Sequence, residues 1–263
     1  MSITIYVPCD SSAISLGADR VAVAITKEAE KRSIDIQLIR NGSRGIANFI
    51  KGGSHPLFLG LTEELEYLKK QQRLTFARIG KTDPVNLEDY VNNDGYRGLR
   101  NALNLPQTDI VKAVTDSGLR GRGGAAFPTG IKWNTVLNTP SEQKYIICNA
   151  DEGDSGTFSD RMVMEGDPFV LIEGMTIAGL AVDATQGYIY LRVEYPHAHK
   201  ALDTAIEKAY EAGYLGNDIL GSGKVFHLEV RLGAGAYICG EETSLMESLE
   251  GKRGLVRFKP PLP

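Results

Sequence analysis

At 263 residues, the chain can form one large domain or two smaller ones, and its 42% hydrophobic and 24% charged residues are typical of globular proteins. A net charge of -4 argues against a nucleic-acid-binding surface, because phosphate contacts need clustered Lys and Arg. The longest apolar stretch, Phe169–Ala184, is too short and too polar to span a bilayer, and no secretory signal opens the chain, so we predict a cytoplasmic location.

The chain begins with a pattern typical of a small α/β module. Ile3–Val7 alternates in polarity as a strand does, Ala13–Ser33 carries apolar residues at helical spacing, and Ile34–Ile39 alternates again. We therefore predict a β-α-β unit, followed by a loop over Gly42–Pro56. Cys9 lies after the first strand.

The next segment predicts helices. Leu61–Gln72 has helical spacing, with Thr62 as a possible N-cap but no full capping box. Asp83-Pro84 opens a further helix from about Asn86, since proline suits the first helical turn. Leu105–Asp116 predicts another helix, which ends at Ser117-Gly118.

Strands and helices alternate in the remainder of the chain, which favours a parallel sheet. The predicted strands are Lys144–Asn149, Gly187–Val193 and Lys224–Leu232. The predicted helices are Phe169–Ala184, Pro196–Gly213 and Gly240–Leu249. Ligands of such sheets bind beyond the carboxyl ends of the strands, so we expect the loops there to carry the function.

A glycine-rich loop, Ser117–Gly130, is the first candidate for binding. Gly121, Gly123 and Ala126 satisfy the dinucleotide pattern G-x-G-x-x-A, but the loop follows a predicted helix where that pattern requires a strand. Bare backbone and arginine suit a phosphate. A surface turn would have the same glycine content, so both interpretations stay open. A P-loop pattern is absent from the sequence.

The second candidate is the acidic loop Cys148–Phe158, which directly follows a predicted strand. Asn149, Asp151, Glu152 and Asp154 offer carboxylates and an amide that suit the imide edge of a flavin or the hydroxyls of a ribose. A calcium loop is the first alternative, although the terminal Glu of an EF-hand is missing. A polar turn that caps the next helix is the second.

The third candidate, Gly233–Glu242, also leaves a strand and enters a helix. Glu241 and Glu242 would be favourable at a helix N-terminus simply as partners of the helix dipole. The preceding glycines need a separate reason, and a closely approaching ligand supplies one. The three cysteines, including Cys148 and Cys239, have no CxxC spacing, so we predict no metal site and expect any electrons to be held by an organic cofactor.

Three segments, SGLRGRGGAAFPTGIKW, CNADEGDSGTFSDR and GAGAYICGEETSLMESLEG, together resemble the family of FMN/NADH-binding flavoprotein subunits over residues 79–263. That family includes the NADH-oxidising subunit of complex I, the diaphorase subunit of NAD-reducing hydrogenase and the beta subunit of NAD-dependent formate dehydrogenase. The resemblance implies an α/β fold: a shortened thioredoxin-like β-α-β module without cluster ligands (1–60), a helical linker region (61–115) and a Rossmann-like FMN/NADH-binding domain with a parallel sheet (116–263).

The resemblance also implies roles for single residues. Those matching FMN contacts are Gly121, Arg122, Gly123, Lys132, Asn149, Asp151, Glu152, Tyr237, Gly240, Glu241 and Glu242. Those matching contacts to NAD(H) are Phe127, Lys132, Asp154 and Glu242. Glu241 and Glu242 lie in the segment beside the reacting rings, and the resemblance implies that they are the catalytic residues. Two dinucleotide contacts depart from the family pattern: Asp154 replaces a family glutamate and Leu262 replaces a second adenine-stacking phenylalanine.

Within the family, the IYVPCDSSAISLGAD and TFSDRMVMEGDPF segments most resemble the beta subunit of formate dehydrogenase. This implies hydride transfer between NAD(H) and FMN, and partner subunits that include a small [2Fe-2S] thioredoxin-like subunit and a catalytic iron–sulfur/molybdenum subunit. The family [4Fe-4S] cluster has no ligands in this chain and is expected beyond Pro263. A subunit of complex I or of NAD-reducing hydrogenase is the first alternative, and a non-catalytic nucleotide-binding or assembly fragment is the second.

Overall fold

The computed structural model describes residues 3–15, 17–41 and 65–259. The predicted loop over Gly42–Pro56, the proposed N-cap Thr62 and the departure at Leu262 lie outside these ranges. The described chain has a mixed α/β fold with two separate parallel sheets. Within these ranges, none of the helices combines the length and the apolarity that crossing a membrane requires.

The first sheet has two strands, β1 (Ile3–Tyr6) and β2 (Ile36–Ile39), which pair in parallel from Ile3 opposite Ile36. Helices α1 (Ser11–Ser15) and α2 (Ala18–Lys31) connect them. Parallel strands need a crossover of this kind. The predicted β-α-β unit is confirmed, and we refer to residues 3–41 as the N-terminal module.

The predicted helix over Leu61–Gln72 is wrong for its described part, because residues 65–72 form turns and irregular structure. None of residues 65–72 is buried, and Tyr67 is 80% exposed. A short helix of this kind is marginal without tertiary packing. Farther on, Asn86 caps α3 (Leu87–Asn92) by accepting a hydrogen bond from the amide of Asp89 at 3.0 Å. Helices α4 (Arg97–Leu103) and α5 (Gln107–Asp116) follow.

The second sheet contains β3 (Tyr145–Ala150), β4 (Gln186–Leu191) and β5 (His227–Leu232), in that order and all parallel. The last residues of the three strands lie side by side, so the three loops that follow leave from one edge. The predicted parallel sheet is thereby confirmed. The helices around it are α6 (Thr129–Asn138), α7 (Ser159–Gly166), α8 (Pro168–Val182), α9 (Pro196–Glu211) and α10 (Glu242–Leu249), with 3-10 turns at Ile219–Gly221 and Tyr237–Gly240.

Helix α8 forms the centre of the main core. It is apolar on nearly all sides, and its one carboxylate, Glu173, is buried. Glu173 accepts hydrogen bonds from the hydroxyl of Tyr90 at 2.5 Å and from the amides of Tyr96 and Leu99 at 2.7 and 2.9 Å. A buried charge is tolerated only with such partners. Glu173 therefore joins α8 to residues 90–99.

The N-terminal module is joined to the rest of the chain at the C-terminal end of α7. Glu165, buried in the last turn of α7, accepts hydrogen bonds from the amide and hydroxyl of Ser11 at 2.8 and 2.5 Å. Nearby, Asp167 is paired with Arg78 at 2.9 Å. Burial raises the pKa of Asp167 to about 6, although Arg78 opposes that shift. Glu165 is thus the buried carboxylate that anchors this junction, and the Arg78–Asp167 ion pair lies next to it in the chain.

Candidate functional site

A cleft of about 830 Å³ lies at the carboxyl edge of the second sheet. Its walls come from the acidic loop after β3, the loop after β5 and the glycine-rich loop, and α7 contributes a fourth side. The predicted site residues that line it are Arg122, Gly123, Asn149, Asp151, Glu152, Asp154, Tyr237, Gly240 and Glu241. The prediction that ligand-binding loops meet at this edge follows from the parallel topology, and the cleft lies there.

Four predicted residues are not among those that line the cleft: Gly121, Phe127, Lys132 and Glu242. Phe127 is 49% exposed, which leaves its ring free to stack on a ligand from outside the cleft. The floor includes apolar side chains that sequence reasoning missed, namely Cys148, Val163, Met164 and Leu171. Two of them lie on α7, a helix that the sequence patterns did not predict.

Asn149 connects two walls of the cleft. It is in β3, and its side-chain amide donates to the carbonyl oxygen of Gly240, in the loop after β5, at 2.8 Å. A side chain at Gly240 would come within 3.3 Å of the carbonyl oxygen of Asp151. Any other residue would require the neighbouring backbone to shift by a few tenths of an ångström, so glycine suits the close approach of the two loops.

Glu152 is buried and its carboxylate is fully used within the protein. It accepts hydrogen bonds from the amides of Asp160 and Arg161 at 2.9 and 3.2 Å, which are orphan donors at the start of α7. It also accepts from the hydroxyls of Ser159 and Tyr195 at 3.2 and 3.0 Å. Burial, followed by the hydrogen bond to Glu152, raises the pKa of Tyr195 to about 12. Of the alternatives for the acidic loop, a polar turn that caps the next helix is the one that fits Glu152.

Asp151 differs from its neighbour. One of its carboxylate oxygens is buried and has no hydrogen-bond partner among the described residues. Burial raises the pKa of Asp151, and the charge of Arg192 opposes this. An unpaired buried acceptor is costly, so a ligand that donates a hydrogen bond here would be favoured.

Glu241 is the N-cap of α10. Its carboxylate accepts from the amides of Thr243 and Ser244 at 2.9 and 3.0 Å, and Lys259 contacts it at 2.8 Å. Desolvation opposes ionisation, but the hydrogen bonds from Lys259, Thr243 and Ser244 outweigh it and lower the pKa to about 2. Glu242 contacts the same Lys259 at 2.5 Å. Lys259 is a further residue that sequence reasoning missed, since nothing local to it indicates this contact.

Tyr237 extends across the mouth of the cleft. Its hydroxyl donates to a carboxylate oxygen of Asp154 at 2.7 Å. This hydrogen bond is the main reason that the pKa of Tyr237 is raised. The ring passes so close to Gly153 that a Cβ there would lie 2.6 Å from it.

The glycine-rich loop turns back on itself. The amide of Gly121 donates to the carbonyl oxygen of Phe127 at 2.9 Å. Gly124 has a φ of +95°, which glycine adopts without strain. Gly123 has no positive φ, and a Cβ there would meet nothing within 4 Å. Neither backbone conformation nor packing among the described residues explains why residue 123 is a glycine. A ligand that approaches the backbone closely at this point would explain it.

Charge is distributed unevenly along the cleft. Arg122 is the one cationic side chain among the described residues that line it, and five carboxylates line the remainder: Asp151, Glu152, Asp154, Asp160 and Glu241. An anionic group would be favoured at the glycine-rich end, and hydrogen-bond donors would be favoured at the acidic end. Among the described residues, no group of three His, Cys, Asp or Glu side chains is arranged to hold a metal ion.

Comparison with known proteins gives consistent matches. The family described as the Nuo51 FMN-binding domain matches residues 114–263. The NADP-reducing hydrogenase subunit HndC of Solidesulfovibrio fructosivorans is 51% identical over 195 residues, covering 74% of this chain and 40% of the relative. A subunit of the NADH-quinone oxidoreductase of Aquifex aeolicus is 48% identical, covering 75% of this chain and 46% of the relative. The corresponding subunit of Escherichia coli is 49% identical, covering 72% and 43% respectively.

A solved structure also matches. A chain of an NAD+-reducing [NiFe]-hydrogenase in the air-oxidized state has a TM-score of 0.57 and 37% identity, covering 73% of this chain and 30% of that chain. The chain thus spans less than half the length of the relatives that it matches.

Proposed function

Because the chain belongs to the Nuo51 FMN-binding domain family, we propose that its cleft binds FMN and that the protein transfers hydride between NAD(H) and that flavin. The observation that carries this proposal is that Gly123 and Asp151 line the same cleft. The first has no role in the described packing, and the second has an unused buried acceptor.

The residues present fit the cofactor. The cleft volume of about 830 Å³ is within the range that small-molecule sites occupy. Arg122 and the bare backbone beside it suit the phosphate, since arginine adds charge and exposed amides add donors. Asp151 and Asn149 suit the flavin ring and its polyol chain, which offer hydrogen-bond donors.

The contributions of single residues are proposed from the family to which the chain belongs and, for the residues that line the cleft, from these contacts. We assign cofactor binding to Gly121, Arg122, Gly123, Lys132, Asn149, Asp151, Tyr237 and Gly240. Glu152 and Glu241 would act differently from simple contact residues, because their carboxylates cap α7 and α10 and so hold two walls in place. Bound FMN would supply the chemistry, accepting two electrons with a hydride and returning them one at a time.

For the dinucleotide, we propose contacts from Phe127, Lys132, Asp154 and Glu242. Phe127 is exposed beside the cleft, and Asp154 and Tyr237 form the hydrogen bond at its mouth. Glu242 is paired with Lys259, so a nucleotide that reaches Glu242 also meets this cation. An anionic dinucleotide phosphate would be attracted to Lys259.

The complex to which the chain contributes is a finer proposal. On the basis of Asp154-Ser155 and the TFSDRMVMEGDPF segment, we infer the beta subunit of a formate dehydrogenase, with electrons passing through iron–sulfur partners in the cytoplasm. A complex I or hydrogenase subunit is the alternative that the named relatives favour. Copurification of the chain from its host distinguishes them: a molybdenum-containing subunit supports the first, and a hydrogenase or quinone-reducing partner overturns it.

Reconstitution with FMN tests the core of the proposal. We expect the purified protein to retain one FMN, and anaerobic NADH to bleach the flavin absorbance near about 450 nm. Glu242→Gln is the matched variant and should slow bleaching more than it weakens FMN retention. A protein that fails to retain FMN would contradict the proposed function. Retention without bleaching would favour the third possibility, a non-catalytic nucleotide-binding or assembly fragment.

A further inference from the structure

Helix α7 forms one side of the cleft although it has only eight residues. Four of these residues, from Ser159 to Met164, line the cleft: Ser159, Asp160, Val163 and Met164. A two-turn helix has little stability of its own, so its position depends on the groups that hold its ends. The N-terminal end is held by Glu152, which belongs to the acidic loop.

The other end of α7 is held by the N-terminal module. Glu165 is 5% exposed, and the two donors described above both belong to Ser11, the first residue of α1. A buried carboxylate that loses its donors is strongly disfavoured. Separation of the module from α7 would therefore leave Glu165 without these two hydrogen bonds.

We propose that Glu165 is a positioning residue for the flavin cleft, and that by binding Ser11 it makes the N-terminal module a clamp on α7. This inference rests on the proposed function only where FMN is concerned. The predicted consequence is that residues far from the cleft, on a separate sheet, set how well the cleft wall is ordered and how tightly FMN is retained.

The segment around Ser11, from the end of β1 into α1, supports docking over redox chemistry. Cys9 lies two residues earlier, and burial raises the pKa of its thiol to about 11. A thiol of that kind stays protonated at neutral pH and is a poor nucleophile or metal ligand. The segment after β1 therefore contributes a buried contact to α7.

Three variants and one control test the clamp: Ser11→Ala, Glu165→Ala, the double variant, and Glu28→Ala. Glu28 lies on α2 in the same module, but its contact is with Arg32 on the module's own surface. We expect Glu165→Ala to raise the Kd for FMN about tenfold and Ser11→Ala about threefold, because one charged hydrogen-bond acceptor or one of its donors is lost. Since both act through one contact, the double variant should be no weaker than Glu165→Ala.

Hydrogen exchange of the apoprotein gives a readout that does not need FMN. The amides of residues 159–166 should exchange faster in Glu165→Ala and Ser11→Ala than in the wild type, while Glu28→Ala leaves them unchanged. Lower thermal stability with an unchanged FMN Kd and unchanged α7 exchange would overturn the inference, since Glu165 would then serve stability alone. Additive losses in the double variant would also overturn it. If Glu165→Ala fails to fold, Ser11→Ala decides the question.

A wild-type protein that does not bind FMN would contradict the proposed function and the FMN part of the inference. In that case the exchange data still show whether Glu165 holds α7. The two failures are therefore distinguishable.

Discussion

The acidic loop and the glycine-rich loop form facing parts of one cleft, but they are held in opposite ways. In the acidic loop, Glu152 is buried and accepts four hydrogen bonds from the protein. In the glycine-rich loop, every residue from Gly121 to Phe127 is exposed, and Gly123 faces open space. One wall is built by contacts within the protein, and the other offers backbone groups that have little to bind in the chain itself.

This difference indicates how binding free energy is divided. A preformed wall costs little to order when a ligand arrives, whereas an exposed loop loses conformational freedom on binding. The exposed loop in return offers unused donors to an anionic group. We expect substitutions in the first wall to act mainly on folding, and substitutions in the second to act mainly on ligand affinity.

The largest effect is expected from a substitution in the acidic loop. Glu152→Ala leaves the Tyr195 hydroxyl and two α7 amides without their acceptor, so the free energy of unfolding should fall by about 3 kcal/mol. Urea unfolding of the apoprotein measures this. Glu152→Gln keeps one carbonyl acceptor and should lose less. A fall below about 1 kcal/mol for Glu152→Ala would show that this wall is not held as described.

An intermediate effect is expected in the exposed wall. Gly123→Val should leave the free energy of unfolding nearly unchanged, because a Cβ at this position would meet nothing within 4 Å and the backbone has no positive φ. It should weaken FMN binding about tenfold or more by blocking approach to the backbone. Flavin fluorescence titration measures the affinity.

Gly124→Ala is the matched control for that loop. Its positive φ makes any side chain strained, so this variant should lose about 1 kcal/mol of folding stability. Equal FMN affinities for Gly123→Val and the wild type would remove the contrast between the two walls.

The smallest effect is expected in the loop after β5, where Glu241 caps α10. Its folded-state pKa, about 2, lies below its ordinary value of 4.5, so its stabilisation is present above pH 4.5 and is lost as the pH falls towards 2. The carboxylate is partly exposed, so the contribution should stay below about 1 kcal/mol.

We would measure the free energy of unfolding of the wild type and of Glu241→Gln from pH 6 to pH 2, in steps of about 1 pH unit. These values test the assignment. The difference between the two proteins should shrink as the pH falls through that window. A difference that stays constant with pH would contradict the capping role of the ionised side chain.

Local sequence patterns predicted the elements whose stabilising contacts are regular. The alternation in Ile3–Val7 and Lys224–Leu232 and the apolar run in Phe169–Ala184 correspond to β1, β5 and α8. The apolar spacing in Leu61–Gln72 led to a wrong prediction, because none of residues 65–72 is buried and a short helix needs core packing to be stable. Helix α7 was missed because its cap, Glu152, lies seven residues upstream of its first residue, outside the local capping pattern.

The site was predictable to the extent that topology determines it. Parallel strands bring the loops after β3 and β5 to one edge, and both loops line the cleft. The difference between Glu152, whose carboxylate is bonded within the protein, and Asp151, which has an unpaired oxygen, could not be predicted. It depends on Tyr195, which lies 43 residues beyond Glu152. Adjacent carboxylates with the same local sequence context thus have different partners.

Glu173 has a consequence for where the cooperative folding unit begins. The family match starts at residue 114, but the three donors to Glu173 come from Tyr90, Tyr96 and Leu99. A fragment that begins at residue 114 would keep the cleft loops but would leave the carboxylate of Glu173 without its three donors in an apolar helix. We expect this to cost about 3–5 kcal/mol of folding free energy. The matched family domain, which starts at residue 114, and the cooperative folding unit therefore have different first residues, and residues 90–99 belong to the folding unit.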